Sequence, residues 1–157
     1  PLKREAFDAP ELIEGIFHAA QALSGGRHTV SLEMDGPQTL YGSADEIRTA
    51  FTNLVTNAIR YTPDGGSITL SWKNAEEGPR FSVTDTGIGI EAKHIPRLTQ
   101  RFYQVDKSRS RQVNGTGLGL SIVRHILLRH EGHLDIESEP GKGSTFSAQF
   151  SRRILVP

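Results

Sequence analysis

Two asparagines and a tyrosine recur every four residues between positions 53 and 61. Asn53, Asn57 and Tyr61 would share one face of a helix, with Arg60 beside Asn57. Because Asn forms helices poorly, two on one stripe suggest a specific use, although a solvated polar face would look the same. Amide oxygens suit Mg²⁺, an ion that commonly bridges substrate phosphates. The pattern therefore favours a magnesium–phosphate site, with Arg60 on a phosphate oxygen and Tyr61 against a base.

A second candidate is the run Asp85-Thr86-Gly87-Ile88-Gly89-Ile90, which directly follows a predicted strand. Its glycines would let backbone approach a ligand closely. A carboxylate at a strand end can accept a hydrogen bond from an exocyclic amine. Adenine carries such an amine at N6, where guanine has a carbonyl, so Asp85 would select adenine. A simple Asx-type turn would account for the same residues.

A third candidate is the run Gly115-Thr116-Gly117-Leu118-Gly119-Leu120, which opens a predicted helix. Free backbone N–H groups at a helix start, together with the helix dipole, form an anion site. Just before it the chain is rich in cations, which suits a triphosphate, although a basic loop is often merely solvated. These cations are Arg101, Lys107, Arg109 and Arg111. The run Gly141-Lys142-Gly143-Ser144-Thr145 is explained well enough as a hairpin turn.

The sequence does not match other well-known phosphate-binding motifs. A Walker A loop needs Ser or Thr after Gly-Lys, and Lys142 is followed by Gly143. A dinucleotide fingerprint needs a third glycine, which the run after Asp85 lacks. The run from Gly115 follows a charged loop and not a strand. The His-Arg-Asp loop of protein kinases is absent from the sequence.

The elements that would position these residues are read from periodicity and turn residues. Ser43, with Glu46 three residues later, matches the capping-box pattern at a helix start. The late strands are joined by hairpins, which predicts an α+β fold: a two-layer sandwich with a mixed sheet of about five or more strands and about three helices on one face. Residues 101–117 read as a long loop, which is often a functional lid. The predicted elements are helix 10–23, strands 28–34 and 39–41, helix 43–60, strands 67–73 and 80–85, a short helix 91–98, helix 118–130, and strands 133–138 and 144–150.

Composition narrows the class of protein. The 157 residues, 36% of them hydrophobic, are enough for one domain spanning 1–157. Eighteen basic residues balance eighteen acidic ones, so charge favours neither nucleic acid nor an anionic membrane as a partner. There is no cysteine, which fits a reducing cytoplasm. The missing initiator Met suggests a piece of a longer protein.

Taken in order, the runs resemble the N, F and three glycine boxes of the catalytic domain of bacterial sensor histidine kinases, a branch of the Bergerat (GHKL) ATP-binding fold shared with DNA gyrase. The boxes are 53–61, 85–90, 101–103, 115–120 and 141–145. Residues 101–111 resemble the phosphate-regulon sensor kinases most closely. The resemblance implies that the domain binds ATP and Mg²⁺ and donates the γ-phosphate to a histidine on a separate dimerisation domain of the same protein.

The resemblance also implies individual roles. Asn57 would coordinate Mg²⁺, with Asn53 nearby and Arg60 on the phosphates, and Tyr61 would flank the base. Asp85 would take the adenine amine, with Gly87, Gly89 and Ile90 shaping the pocket and Thr145 supporting the adenine end. Tyr103, the backbone of 115–120 and one of Lys107, Arg109 or Arg111 would complete the site. Gln104 departs from the pattern, since a basic residue that can reach the γ-phosphate is common there.

The acceptor histidine is not predicted within this chain. Only His130 has an acidic successor, Glu131, but it lies at a helix end without the expected following run. The histidines near that helix end lack the further ligands of a metal site. The resemblance implies a monomeric cytoplasmic domain of a membrane-anchored parent, with a response regulator as an indirect partner. The alternatives are a gyrase-type ATPase, an anti-sigma-type serine kinase and a nucleotide-sensing module without transfer.

Overall fold

The structure is a computed structural model that describes residues 2–100 and 119–157. Five of its strands form one sheet, and two more form a short antiparallel ribbon. The strands are β1 (Glu5–Asp8), β2 (Thr29–Met34), β3 (Thr39–Gly42), β4 (Ser67–Asn74), β5 (Pro79–Asp85), β6 (Gly132–Glu139) and β7 (Gly143–Phe150).

The main sheet has the order β2-β4-β5-β7-β6, and β1 pairs with β3. Strands β2 and β4 run parallel, while every other neighbouring pair is antiparallel. Parallel neighbours need a long crossover, and the chain between β2 and β4 provides it with a ribbon strand and a helix. The prediction of a mixed sheet with the hairpins β4–β5 and β6–β7 is confirmed.

Three α-helices cover one face of this sheet in the described part of the chain: α1 (Ala9–Ser24), α2 (Ala44–Tyr61) and α3 (Gly119–Arg129). Helix α1 begins where the Asp8 carboxylate accepts the Glu11 N–H at 3.0 Å. It ends at Gly25, whose left-handed φ of 60° lets its N–H close on the Gln21 carbonyl. No helix among the described residues combines the length and apolarity that crossing a bilayer requires.

The core lies between the helices and the sheet, and its centre is aromatic. Phe51 of α2 stacks on Phe81 of β5 with ring centroids 4.1 Å apart. Trp72 of β4 is fully buried, and its indole N–H donates to the Pro37 carbonyl at 2.9 Å. The other face of the sheet carries paired hydroxyls, such as Ser82 with Ser147 at 2.7 Å. The predicted two-layer sandwich is therefore confirmed.

The cap of α2 differs in part from its prediction. The Ser43 hydroxyl accepts the Glu46 N–H at 3.2 Å, which confirms Ser43 as the N-cap. The reciprocal bond of a capping box is not formed, because Glu46 pairs with Arg129 instead. The Ser43 N–H donates to His130 Nε2 at 3.1 Å. The hydrogen bond that a capping box would form between the Glu46 side chain and the Ser43 N–H is thus replaced by contacts with residues distant in the sequence.

Two other elements differ from their predictions. Strand β1 has no counterpart among the predicted elements, because four residues paired only with β3 are too short to show a period. The segment predicted as a short helix over 91–98 is a 3₁₀ helix, Ala92–Arg97, with Pro96 inside it. Proline lacks the N–H that an α-helix would need there. The predicted lid, 101–117, lies outside the described residues.

Replacing Glu131 by Gly should stabilise the domain by about 0.5–1 kcal/mol. Glu131 follows α3 with a φ of 58°, a left-handed conformation that strains any residue with a Cβ. Its carboxylate pairs with Arg153 at 3.2 Å, but both side chains are mostly exposed and such a pair contributes little. Urea unfolding measures the gain. Glu131→Ala is the control, since it loses the ion pair and keeps the strain, and equal stability of the two variants would contradict the explanation.

Candidate functional site

The polar face of α2 is partly exposed, as its sequence pattern predicted. Asn53, Asn57, Arg60 and Tyr61 are all half-buried, while the opposite face of the helix is in the core. The Asn53 amide donates to the Gly119 carbonyl at 3.5 Å, a long hydrogen bond. The asparagine stripe therefore lies beside the first residue of α3.

Asp85 ends β5 and is buried, with 6% of its surface exposed. Its Oδ1 accepts the Gly87 N–H at 2.8 Å, and the Ser144 N–H also points at the carboxylate. Burial is the largest influence and raises the pKa of Asp85, while the two N–H groups oppose that rise. A buried carboxylate with a raised pKa at a strand end is typical of a functional group rather than of a simple turn.

Gly87 marks the point at which three polar groups converge. A Cβ at Gly87 would lie 2.5 Å from the Tyr61 carbonyl oxygen, 2.8 Å from Asp85 Oδ1 and 3.2 Å from the Thr62 hydroxyl. The Ile88 N–H donates to the same Tyr61 carbonyl at 3.3 Å. The end of α2 is thus fastened to the turn after β5, and the structure brings the first two sequence candidates together.

The Thr62 hydroxyl at this point is a buried polar atom without a hydrogen-bond partner in the part of the chain that the structure describes. Native proteins rarely leave such an atom unpaired, and those that remain often mark the place of a water or a ligand. The carbonyl oxygen of Thr62 lies 2.7 Å from His28 Nε2, at hydrogen-bonding distance. Buried polar groups around Gly87 therefore fit a base with donor and acceptor edges.

Gly89, in the run that follows β5, is packed closely against the backbone of a neighbouring strand. Gly89 has a φ of 72°, and a Cβ there would overlap the Glu139 carbonyl oxygen at the β6–β7 turn. The next residue, Ile90, donates its N–H to the Ser138 hydroxyl at 2.8 Å. Close backbone packing therefore requires glycine at Gly89, and the turn after β5 is held by the end of β6 and by the β6–β7 turn.

Ser144 and Thr145, neighbours on β7, lie on opposite faces of the sheet. Thr145 pairs its hydroxyl with Thr84 at 3.1 Å, on the sheet face opposite to the Asp85 side chain. Ser144 is the residue that lies opposite Asp85 in the ladder. Because side chains alternate along a strand, Phe146 in the core already implied that Ser144 shares its face. Ser144, and not Thr145, therefore shares the sheet face of the Asp85 side chain, and the role of Thr145 at the adenine end stays a prediction.

The structure describes only two residues of the run predicted to bind the phosphates. Gly119 and Leu120 begin α3, and Leu120 packs against the core. The other residues of the predicted phosphate and lid contacts lie outside the described residues. They are Tyr103, Gln104, Lys107, Arg109, Arg111, Gly115, Thr116, Gly117 and Leu118.

His130, the only histidine with an acidic successor, does not have the exposed ring nitrogens that an acceptor histidine needs. His130 is buried, with both ring nitrogens hydrogen-bonded. Residues 2–100 and 119–157 contain no cluster of three or more His, Cys, Asp or Glu that could hold a metal ion. A Mg²⁺ ion that bridges phosphates needs few protein ligands, so the amide stripe of α2 still fits such an ion.

Residues 42–154 match the family model described as "Histidine kinase-, DNA gyrase B-, and HSP90-like ATPase". The chain belongs to this family. It is 53% identical over 150 residues to the phosphate regulon sensor protein PhoR of Pseudomonas aeruginosa, covering 95% of this chain and 33% of that protein. The chain spans about a third of the length of this relative and of the phosphate regulon sensor protein PhoR of Haemophilus influenzae.

Solved structures show the same fold. The mycobacterial sensor histidine kinase MprB matches with a TM-score of 0.81 at 22% identity, over 94% of this chain and 97% of that one. Full-length ShkA, solved in complex with AMPPNP, matches with a TM-score of 0.80 at 24% identity, over 96% of this chain and 32% of that one.

Proposed function

We propose that residues 1–157 form a single ATP–Mg²⁺-binding domain that donates the γ-phosphate to a histidine on a separate helical dimerisation domain of the same protein. The observation that carries this proposal is the convergence at Gly87 of the end of α2 with the buried carboxylate of Asp85. Further back along the same helix, Asn53 contacts the start of α3. Family membership and the sensor relatives support the same reading.

Recognition of the base rests on Asp85. Its carboxylate accepts from the adenine N6 amine, while guanine would present a carbonyl there and be repelled. Ser144 supports the carboxylate through its N–H. Gly87, Gly89 and Ile90 shape the turn, and Tyr61 flanks the base.

The phosphates lie along α2 towards α3. Asn57 holds Mg²⁺, with Asn53 nearby and Arg60 on a phosphate oxygen, and the backbone over 115–120 meets the phosphates at the start of α3. When bound, Mg²⁺ neutralises phosphate charge. Because phosphoryl transfer needs little covalent help from protein, the domain acts by positioning and charge neutralisation. Tyr103 and one of Lys107, Arg109 or Arg111 supply the lid contacts in this proposal.

The setting of the domain follows from its relatives. A relative named as a phosphate regulon sensor is 53% identical, which favours a sensor kinase of that class as the parent protein. We place the domain in the cytoplasm, where ATP is available, as a monomer within a membrane-anchored kinase. A response regulator would receive the phosphoryl group from the dimerisation domain. The AMPPNP in the ShkA structure supports nucleotide binding by this fold.

The direct test mixes this chain with a separately produced helical dimerisation domain and γ-labelled ATP. We expect label on the acceptor that is lost in acid and kept in base, as phosphohistidine is. Asn57→Ala should slow labelling about 30-fold, or by about 2 kcal/mol, because Mg²⁺ is held less well. Asn74→Ala, at the exposed end of β4, is the matched control and should label at the normal rate.

Other outcomes would identify the alternatives. Acid-stable label would indicate a serine kinase of the anti-sigma type. Tight ATP binding without transfer to any acceptor would indicate a nucleotide-sensing module. Steady phosphate release by this chain alone, abolished by Asn53→Ala, would indicate a gyrase-type ATPase. The last is disfavoured, because Asn53 carries an amide that donates to Gly119 and cannot serve as a general base.

A further inference from the structure

Helices α2 and α3 lie side by side and run antiparallel. Near the start of α2, Glu46 contacts Arg129 at the end of α3. Further along α2, Asn53 contacts Gly119 at the start of α3. The distance between the asparagine stripe and the start of α3 therefore depends on how far α3 is shifted along α2. Whatever holds the far ends of the two helices together also sets this shift.

His130 connects those far ends through both of its ring nitrogens. Nδ1 lies 2.8 Å from the Ile126 carbonyl oxygen, in the last turn of α3. Nε2 lies 3.1 Å from the backbone nitrogen of Ser43, the N-cap of α2. A carbonyl only accepts and a backbone N–H only donates, so Nδ1 carries the proton and Nε2 is the acceptor. His130 is therefore the neutral Nδ1–H tautomer.

The imidazole has little freedom to leave this position. His130 is only 5% exposed, and a Cβ at the neighbouring Gly42 would lie 2.7 Å and 2.9 Å from its ring atoms. Beside it, Arg129 holds both carboxylate oxygens of Glu46, at 2.9 and 3.0 Å. Two adjacent residues of the α3 end are thus fastened to the first turn of α2.

We propose that His130 is a positioning residue for nucleotide binding: its neutral imidazole locks the end of α3 to the N-cap of α2 and so holds Gly119 beside Asn53. This inference rests on the proposed function, because the start of α3 matters most if it meets phosphates. It gives a role to a buried histidine that the phosphotransfer mechanism does not use.

The lock depends on pH. Protonation would put a hydrogen on Nε2 facing the Ser43 N–H, and the bond would be lost. Burial is the largest influence and lowers the pKa of His130; Glu46 acts to raise that pKa, while Arg129 and Arg4 act to lower it. A base with a lowered folded-state pKa stabilises the fold fully above about pH 6.5, its ordinary value, and loses that contribution as pH falls further. ATP affinity should fall at still lower pH, as the folded protein takes up this proton at its lowered pKa.

Two variants distinguish the effect of the two His130 hydrogen bonds from the effect of the volume of its ring. His130→Phe keeps an aromatic ring, somewhat larger than imidazole, and loses both hydrogen bonds. His130→Gln offers the Ser43 N–H an amide oxygen that does not titrate. His18→Gln, at an exposed position on α1, is the control for replacing a histidine away from the α2–α3 contact. Mg–ATP affinity is measured by calorimetry from about pH 8 down to about pH 4.5, because the lowered pKa of His130 places its titration below the ordinary range of histidine, and urea unfolding establishes that each variant is folded.

We expect His130→Phe to bind Mg–ATP about tenfold or more weakly, since small misplacements of a site are costly. His130→Gln should stay within about threefold of the original chain and lose the acid-side fall, which His18→Gln keeps. A purely structural role would lower stability and leave affinity and its pH profile unchanged. Folded His130→Phe that binds normally, or His130→Gln with an unchanged pH profile, would overturn the proposal.

The Gly119 amide signal in NMR spectra provides a readout without nucleotide. In the original chain it should shift together with the titration of His130, and it should be displaced in His130→Phe. A Gly119 signal that ignores both changes would overturn the proposal even if the Phe variant folds poorly. Failure of the original chain to bind ATP would reject the proposed function, and the Gly119 signal would still decide whether His130 positions α3.

Discussion

Asp85→Asn should weaken ATP binding about 300-fold, or by roughly 3–4 kcal/mol. The carboxylate of Asp85 already accepts backbone N–H groups of Gly87 and Ser144 and would also accept the adenine amine. An amide of the same shape replaces one accepting oxygen with an NH₂ donor. One of the three N–H groups would then face a donor in a buried site, and the loss of that bond is not compensated by water.

The same change should cost little stability. Because burial raises the pKa of Asp85, the folded state binds its proton more tightly than the unfolded state. The free energy of unfolding therefore decreases as pH rises from the ordinary pKa of 3.8 through the raised one, and this loss of stability persists at neutral pH. The neutral Asn side chain avoids it, so at pH 7 the variant should unfold within about 1 kcal/mol of the original chain.

Calorimetry with ATP and GTP measures this prediction, and urea unfolding measures stability. Discrimination against GTP should shrink in Asp85→Asn, since the repulsion of the guanine carbonyl is relieved. Asp135→Asn is the matched control: Asp135 pairs with Arg80 on the opposite sheet face and should leave nucleotide affinity unchanged. ATP affinity within about threefold of normal in Asp85→Asn would mean that the carboxylate does not read the base.

Gly143→Ala should destabilise the domain by about 3 kcal/mol or more. A Cβ at Gly143 would overlap the Asp85 carbonyl oxygen and lie 2.9 Å from its carbon and 3.0 Å from the Thr86 Cα. All three atoms belong to backbone, so none can rotate away. The φ of 118° adds strain for any other residue. Strand β7 would have to move away from β5 where Ser144 faces Asp85, so ATP affinity should fall as well.

Gly141→Ala separates this clash from backbone strain alone. Gly141 lies in the same turn and has a φ of 80°, but a Cβ there would meet nothing within 4 Å. Its cost should be about 1 kcal/mol, with ATP affinity preserved. Urea unfolding and calorimetry compare the two variants. Equal losses at Gly141 and Gly143 would show that contact with the Asp85 backbone is not what requires glycine.

Some features of the site could be predicted from the sequence because their causes are local. The four-residue spacing from Asn53 to Tyr61 defines one face of a helix in any fold. Asp85 at the end of an alternating strand, followed by glycines, indicates a carboxylate at a strand tip. Periodicity and turn residues act over a few positions, and they gave the helix and strand bounds to within about two residues, the usual scatter of such boundaries. The ordered boxes then indicated the family.

Other features depended on partners distant in the sequence. Ser144 shares the sheet face of Asp85 because of the register between β5 and β7, which is set only when the two strands pair. The Ser43 N–H was expected to find Glu46 three residues away, and it found His130 instead. Strand β1 exists only through its pairing with β3.

By itself, the sequence determined where the helices and strands lie, which side chains share a helix face, and the family to which the chain belongs. The tertiary structure decided the pairing of β2 with β4, the residue opposite Asp85, and the partner of the α2 cap. The physical reason is the range of the interactions. Dihedral preferences and apolar periodicity act between near neighbours, whereas strand register and buried hydrogen bonds are chosen only when distant segments pack together.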